Sequence, residues 1–170
     1  MRYKVEVDLD AVMRRMDGHA FWWNYLKTAL ATVSKIGLHI AVFREPFLSL
    51  ALNGPKIVES RFSRNRCAPF GEIGDGDIIL LKEISGPIRG IALAKSVWFY
   101  DLTIEPLDQL RDRFGEMICG DDDFWESRRA AAYATLIELA ETTTLEPLSC
   151  NKRDRRGWVS LRARQLVFAF

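Results

Sequence analysis

The sequence is poor in the residues that build metal sites and disulfide frameworks. It has three cysteines and two histidines among 170 residues. Cys67, Cys119 and Cys150 are widely spaced and odd in number, and neither His19 nor His39 stands at ligand spacing from any of them. This scarcity predicts free thiols in a reducing cytoplasm, no metal site and no bound cofactor.

Long apolar runs and a strong net charge are missing as well. The most apolar window, residues 20–33, contains Asn24 and Lys27 and is too short to span a bilayer. Acidic residues stand within the first eight positions, where a secretion signal needs an apolar run. The formal net charge is +1, too small for a protein that coats nucleic acid indiscriminately. We therefore expect a cytoplasmic protein that does not enter a membrane.

Charge of one sign is nevertheless concentrated locally. Residues 101–126 carry nine acidic and two basic side chains, whereas residues 150–170 carry six basic and one acidic. Segment 56–66 adds four basic residues and one acidic residue. A nearly neutral protein can therefore present electropositive patches. An equal alternative is that acidic and basic surfaces only balance each other's charge.

Residues 1–37 are predicted to form an N-terminal extension that is helical from about Gly18 to Lys35. Phe21 and Tyr25 recur at helical spacing, and Gly37 is expected to end the helix. Aromatic residues stand on more than one helix face. The helix is therefore expected to pack on the main body or to form a homodimer contact.

Residues 38–170 are predicted to form an α+β domain built around a small, mostly antiparallel β-barrel with flanking helices. The patterns predict strands at 38–43, 56–62, 78–81, 88–100, 133–139 and 157–161. Helices are expected near 46–53 and within 107–132, with Asp121 as a cap. The strands do not alternate regularly with helices, which favours a barrel over βαβ units.

Segment 54–61 is the most informative part of the chain. It places Lys56 at a turn and Glu59 and Arg61 in the following strand, where alternation puts both side chains on one face. Such a group can hold a phosphate, or carry acid–base chemistry if burial lowers the pKa of Lys56. An ion pair between Glu59 and Arg61 that only stabilises the fold is the alternative.

The run from residue 39 to about residue 161 resembles the ASCH domain, a member of the PUA-like barrel superfamily. The resemblance rests on four matches: the G-x-K-x-x-E-x-R signature at 54–61, the opening at 40–47, Gly76-Asp77-Ile78-Ile79, and the glycine-bearing strand at 87–92. It implies a PUA-like fold with a cleft beside the signature. It also implies that this cleft binds RNA, single-stranded or with a modified base, or a nucleotide.

The resemblance implies a second possibility, because some ASCH proteins are hydrolases. One branch removes the acetyl group from acetylcytidine, and others are ribonucleases. In this reading Lys56 and Glu59 would be catalytic. The amidohydrolase branch carries threonine where this chain has Glu59, so Lys56 carries over but the threonine nucleophile does not.

Further candidates for nucleic-acid contacts lie outside the signature. They are basic residues in loops and one aromatic residue: Arg64, Arg66, Lys152, Arg153, Arg155 and Trp98. Loop cations contact phosphates and exposed rings stack on bases, whereas solvated loops and core packing are the plain alternatives. His39 is interpreted as a core residue, and neither Ser49 nor Ser85 stands in a triad motif. Three functions stay open: an RNA-binding domain, a hydrolase and a protein-interaction module.

Overall fold

The structure, a computed structural model, describes residues 5–31, 34–153 and 155–164. Eleven elements follow one another along this part of the chain. They are α1 (Leu9–Arg15), α2 (Ala20–Ala29), β1 (Leu38–Phe43), α3 (Phe47–Asn53), β2 (Val58–Ser63), β3 (Ile78–Glu83), β4 (Ile88–Asp101), α4 (Leu107–Ile118), α5 (Asp122–Glu126), β5 (Tyr133–Leu148) and β6 (Trp158–Arg162).

The six described strands form one sheet in the order β2-β5-β4-β3-β1-β6. Neighbouring strands are antiparallel except for β1 and β3, which run parallel. The chain between β1 and β3 contains α3 and β2, so it is long enough for the crossover that a parallel pair needs. The sheet curls into a half-barrel. This confirms the predicted α+β class and the mostly antiparallel barrel.

The helices pack on the sheet through three apolar clusters. Val12 of α1 and Trp22 of α2 are buried in the first cluster together with Ile40 of β1. Helix α3 contributes to the second cluster, and α4 and α5 pack with β2 and β5 in the third. Two predicted boundaries are confirmed, because Gly54 ends α3 in the left-handed conformation and the Asp121 side chain caps α5.

The N-terminal helix differs from its prediction in length and in face. Helix α2 ends at Ala29 rather than near Lys35, and Ser34 accepts a local hydrogen bond from the N–H of Ile36 that competes with helical geometry. The buried stripe of α2 consists of Trp22, Leu26 and Ala29, while Phe21 and Tyr25 are only partly buried. Helix α1 was not predicted. The homodimer contact through the aromatic helix stays a prediction.

Strand β5 was predicted to end near Leu139 but continues to Leu148. The threonine-rich stretch after Glu141 pairs with β4, whose register against β5 shifts at three points. Glu141 takes a positive φ of 51°, which is a local irregularity within the strand. Strand β5 therefore continues past Glu141, where the regular extended backbone is interrupted. No helix in the described part of the chain is long and apolar enough to cross a membrane.

Candidate nucleic-acid interface

A cavity of about 850 Å³ opens beside β2 and the loop before β6. Ten charged side chains of the described part of the chain line it, and Glu59 is the one acidic residue among these ten. The nine basic residues are Arg44, Lys56, Arg61, Arg64, Lys82, Arg128, Lys152, Arg155 and Arg156. We call this set and Glu59 the basic cavity. A concave wall of one sign focuses its field on anions, even when the whole protein carries a net charge of only +1.

The signature residues form a buried ion cluster at the wall of the basic cavity. The Glu59 carboxylate accepts from Lys56 Nζ through Oε2 at 3.2 Å and from Arg61 Nε through Oε1 at 2.8 Å. Lys56 is 3% exposed and Glu59 is 6% exposed. The strand alternation therefore places Glu59 and Arg61 on one face as predicted, and Lys56 closes the cluster from the preceding turn.

Lys56 is held by backbone as well as by Glu59. Its ammonium donates to the carbonyl of Val58 at 2.8 Å and to that of Ile118, the last residue of α4, at 3.0 Å. With the Glu59 carboxylate these acceptors match the three donors of an ammonium group. The cation also lies 5.3 Å from the centre of the Phe47 ring. Lys56 thus joins α3, β2 and the end of α4 while contributing positive charge to the cavity.

Arg61 bridges the two edges of the half-barrel. From edge strand β2 its Nη2 donates to the Val42 carbonyl at 2.9 Å and its Nη1 to the Gly157 carbonyl at 3.0 Å. Val42 belongs to β1, and Gly157 directly precedes β6 at the opposite edge. The guanidinium lies between Phe43 and Trp158, 5.4 and 5.5 Å from their ring centres. The planar fork of arginine suits such a bridge because it donates in several fixed directions.

The mouth of the basic cavity carries more exposed cations. Arg44, Arg64, Arg155 and Arg156 are exposed, while Lys152 is half-buried. Lys82 is buried behind them, and burial lowers its pKa below the ordinary value, with the positive charge of Lys152 acting in the same direction. Exposed cations at an open mouth can contact the phosphates of a nucleic acid from solution.

One wall of the cavity combines aromatic rings with a guanidinium. The Phe124 ring lies 5.4 Å from that of Phe47 and 6.2 Å from that of Phe62. The guanidinium of Arg128 covers Phe124 at 4.0 Å from the ring centre. Burial lowers the pKa of Arg128; Glu59 opposes this shift and Arg61 adds to it. We call Phe124 and Arg128 the stacking wall, because the guanidinium stacked on the ring is itself a planar surface on which a base can stack.

The structure brings six of the nine predicted site residues together in the basic cavity: Lys56, Glu59, Arg61, Arg64, Lys152 and Arg155. The other three do not line it. Arg66 lies over the rings of Tyr133 and Phe70, at 5.1 and 5.9 Å. Trp98 is half-buried and packs on Phe114 of α4 at 5.4 Å. Arg153 is exposed outside the lining of the cavity.

Sequence reasoning missed Arg44, Lys82 and Arg128 as cavity residues, while Arg156 is the neighbour of the predicted Arg155. Arg44 stands in the strand–helix opening that marked the family resemblance, and Lys82 directly follows the apolar run of β3, so both carried a local signal. Arg128 follows a short acidic helix and has no such signal. Its position depends on the packing of α5 against β2, which only the fold supplies. Among the described residues no group of histidine, cysteine and carboxylate side chains is arranged to hold a metal ion.

No protein-family model matches this chain, and no curated protein matches it. Solved structures do match. The ASCH protein of Zymomonas mobilis aligns over 74% of this chain and 87% of its own, with a TM-score of 0.59 and 16% identity. The chain has the ASCH fold. A serine-to-alanine mutant of that ASCH protein aligns over 65% of this chain and 72% of its own, with a TM-score of 0.53 and 16% identity.

A further match to the ASCH fold of this chain is a protein of Enterococcus faecalis. It aligns over 85% of this chain and 99% of its own, with a TM-score of 0.50 and 10% identity. The structures of the Zymomonas mobilis protein confirm the predicted ASCH resemblance at the level of the fold. Identities this low carry no residue roles across, so the ligand of the basic cavity has to follow from the chemistry of this chain.

Proposed function

We propose that this ASCH-fold chain is an RNA-binding protein that holds a single-stranded segment across the basic cavity. The observation that carries the proposal is the ratio of nine basic to one acidic side chain among the described residues that line one concave surface. Phosphate contacts by lysine and arginine supply most of the affinity of proteins for nucleic acids. A cavity of about 850 Å³ falls within the range that encloses one small molecule, so it fits an unstacked nucleotide rather than a duplex.

The cations of the cavity divide into two groups. Lys56 and Arg61 donate to Glu59 and to backbone carbonyls, so they act on a ligand mainly through their charge. Arg64 and Arg155 are exposed at the mouth and can form direct contacts with phosphates. The stacking wall of Phe124 and Arg128 is the place for a base. RNA recognition commonly splays a base onto an aromatic ring or a guanidinium plane in this way.

The hydrolase alternative receives less support from the geometry of Lys56. A lysine that acts as a general base must present a neutral amine with a free lone pair. The Lys56 nitrogen instead donates to two carbonyls and a carboxylate, so protein acceptors surround it where a substrate proton would have to approach. We therefore propose binding rather than cleavage as the activity of the basic cavity.

Two matched double variants test the proposal. Arg64→Ala with Arg155→Ala removes two cations from the mouth of the cavity. Arg66→Ala with Arg153→Ala also removes two exposed cations. Each lies two residues from one of the cavity arginines, Arg64 or Arg155, but outside the lining of the cavity. Binding of a fluorescently labelled single-stranded RNA is measured by anisotropy over a series of salt concentrations. The first variant is expected to flatten the slope of log K against log salt by about 1.4, since each phosphate contact on a single strand contributes about 0.7.

The second variant is expected to keep the slope of the wild type. Equal slopes for the two variants would contradict the proposal, because general charge rather than the cavity would then hold the RNA. The same RNA is recovered after incubation with magnesium or with EDTA and examined for cleavage. Cleavage that disappears in Lys56→Ala would favour the hydrolase over the binding protein.

A further inference from the structure

A second cavity, of about 510 Å³, shares no lining residue with the basic cavity. Ser160 of β6 lines it, together with Glu72, Val97, Phe99 and Arg164. Behind Ser160 lie two fully buried polar side chains, His39 of β1 and Asp77, which directly precedes β3. None of these residues takes part in the proposed binding of RNA.

Ser160, His39 and Asp77 form a continuous hydrogen-bonded chain. Ser160 Oγ lies 3.0 Å from His39 Nδ1, and His39 Nε2 lies 3.0 Å from Asp77 Oδ2. His39 and Ser160 are direct cross-strand partners in the antiparallel pair of β1 and β6. Their side chains therefore project from the same face of the sheet. A hydroxyl, an imidazole and a buried carboxylate in this order are the arrangement that activates a serine nucleophile.

Hydrogen bonds hold the Asp77 carboxylate in place, as the carboxylate of a serine–histidine–carboxylate chain requires. It accepts from the backbone N–H groups of Gly37 at 2.7 Å and Gly74 at 2.9 Å, and from Arg164 Nε at 3.2 Å. Burial alone would raise the pKa of Asp77, but the hydrogen bonds from His39, Gly74 and Gly37 outweigh burial and hold it below the ordinary value. The carboxylate is thus kept ionised beside the imidazole.

A neighbouring indole assigns the tautomer of His39. Trp158 Nε1 lies 3.3 Å from His39 Nδ1, and an indole nitrogen can only donate. Nδ1 is therefore an acceptor, and the ring proton is on Nε2, where Asp77 accepts it. An unprotonated Nδ1 that faces a serine hydroxyl is the state that a general base requires. Glu72 Oε2, 3.2 Å from Ser160 Oγ, is an alternative acceptor for the single hydroxyl proton.

We propose that Ser160, His39 and Asp77 form a second site, one that hydrolyses small carboxylic esters. Ser160 Oγ attacks the ester carbonyl while its proton passes to His39 Nδ1. The tetrahedral intermediate expels the alcohol, which takes that proton and leaves an acyl group on Ser160. Water then attacks the acyl carbon and gives a proton to His39. The bond between Ser160 Oγ and the acyl carbon then breaks, Ser160 Oγ takes that proton from His39, and the carboxylic acid is released.

The walls of the second cavity indicate the kind of ester. Val97 and Phe99 line it, and Phe99 is 41% exposed although it is aromatic. An apolar acyl chain is the partner that such a surface accepts. Arg164 lines the same cavity, where its Nε donates to Asp77 and its Nη2 to the Asp75 carbonyl, so it helps to hold the carboxylate that orients His39. The proposed substrate class is therefore a short-chain or aryl ester of an uncharged acid.

The first test uses the wild-type protein and an alkyl fluorophosphonate, which labels activated serines by losing fluoride. Ser49 is the internal reference: it is exposed and donates to the Glu45 carboxylate at 2.9 Å, and its contacts do not include histidine. Mass spectrometry of proteolytic peptides gives the labelling rate of each serine. Because a general base contributes a factor of about 100 or more, Ser160 is expected to react about 100 times faster than Ser49. Equal rates at the two serines would overturn the proposal.

The second test follows hydrolysis of p-nitrophenyl butyrate by Ser160→Ala, His39→Gln and the control Ser49→Ala. Loss of turnover in the first two variants and its retention in the third are expected. Circular dichroism and binding to single-stranded RNA report whether each variant keeps its fold and its basic cavity. Turnover that survives in a folded Ser160→Ala variant would overturn the proposal. The RNA measurement keeps this outcome separate from any failure of the basic cavity.

Discussion

Two buried carboxylates, Glu59 and Asp77, lie beside the two cavities, and their partners differ. Glu59 contacts two basic side chains, Lys56 and Arg61. Asp77 contacts one arginine, but it also accepts from the imidazole of His39 and from two backbone N–H groups. Glu59 thus balances buried cations, whereas Asp77 is itself stabilised by dipoles around it.

This difference indicates what each carboxylate does for its cavity. Without Glu59, the ammonium of Lys56 would be a buried charge held only by carbonyl dipoles, and the guanidinium of Arg61 would lose its anionic partner. Glu59 therefore allows a wall of like charges to stay folded beneath the mouth of the basic cavity. Asp77 instead orients a histidine toward Ser160. Removal of Glu59 should mainly lower the stability of the fold. Removal of Asp77 should mainly change the orientation of the His39 imidazole.

The largest effect is expected for Glu59→Ala. Breaking a buried ion pair by removing one partner costs about 3–5 kcal/mol, because the other charge is left uncompensated. Urea unfolding monitored by circular dichroism gives the change in free energy of unfolding. Glu45→Ala is the control, since Glu45 is exposed and contacts Ser49. A loss no greater than that of the control would contradict the role assigned to Glu59.

A smaller loss of stability is expected for Arg61→Lys. Lysine keeps the charge but cannot donate to Glu59, Val42 and Gly157 in the directions that the guanidinium fork uses. Losing about two net hydrogen bonds should cost about 2 kcal/mol in the free energy of unfolding. Arg66→Lys, at an exposed arginine outside the cavity, is the control for the substitution itself. Equal midpoints in urea for the two variants would show that the bridge between the sheet edges contributes nothing.

The fold was predictable where the sequence pattern is local. Strand β1, helix α3 with its Gly54 end and the cap at Asp121 each follow from a few neighbouring residues. The end of β5 was not predictable, because the strand continues through an irregular residue and is held by pairing with β4. Helix α1 was also missed, although Asp8 caps it by accepting from Ala11, a signal that the sequence did carry.

The site was predictable only in part, for the same reason. Lys56, Glu59 and Arg61 are close in sequence, and strand alternation brings them together. Arg128 reaches the same cavity through the packing of a different element, as does Arg44. His39 and Ser160 are 121 residues apart and meet only because β6 pairs with β1. No local pattern could place that histidine beside that serine.

The smallest effect concerns the pH dependence of stability, and it separates the two carboxylates. Because the folded pKa of Asp77 lies below its ordinary value of 3.8, its carboxylate stabilises the fold above that value. This contribution is lost as the pH falls below 3.8 through the folded pKa. Unfolding in urea between pH 5 and pH 3 should therefore show wild type losing stability more steeply than Asp77→Asn. The excess slope for one group is at most about 1.4 kcal/mol for each pH unit.

Asp101→Asn is the matched control for this comparison. The pKa of Asp101 is also lowered, by hydrogen bonds from the hydroxyl and the N–H of Thr103, but this carboxylate is exposed to solvent, which screens its contribution. Replacing Asp101 should therefore leave the pH slope almost at the wild-type value. If Asp77→Asn kept the wild-type slope as well, the dipoles around Asp77 would not favour its charged form. The contrast between a carboxylate that balances cations and one stabilised by dipoles would then fail.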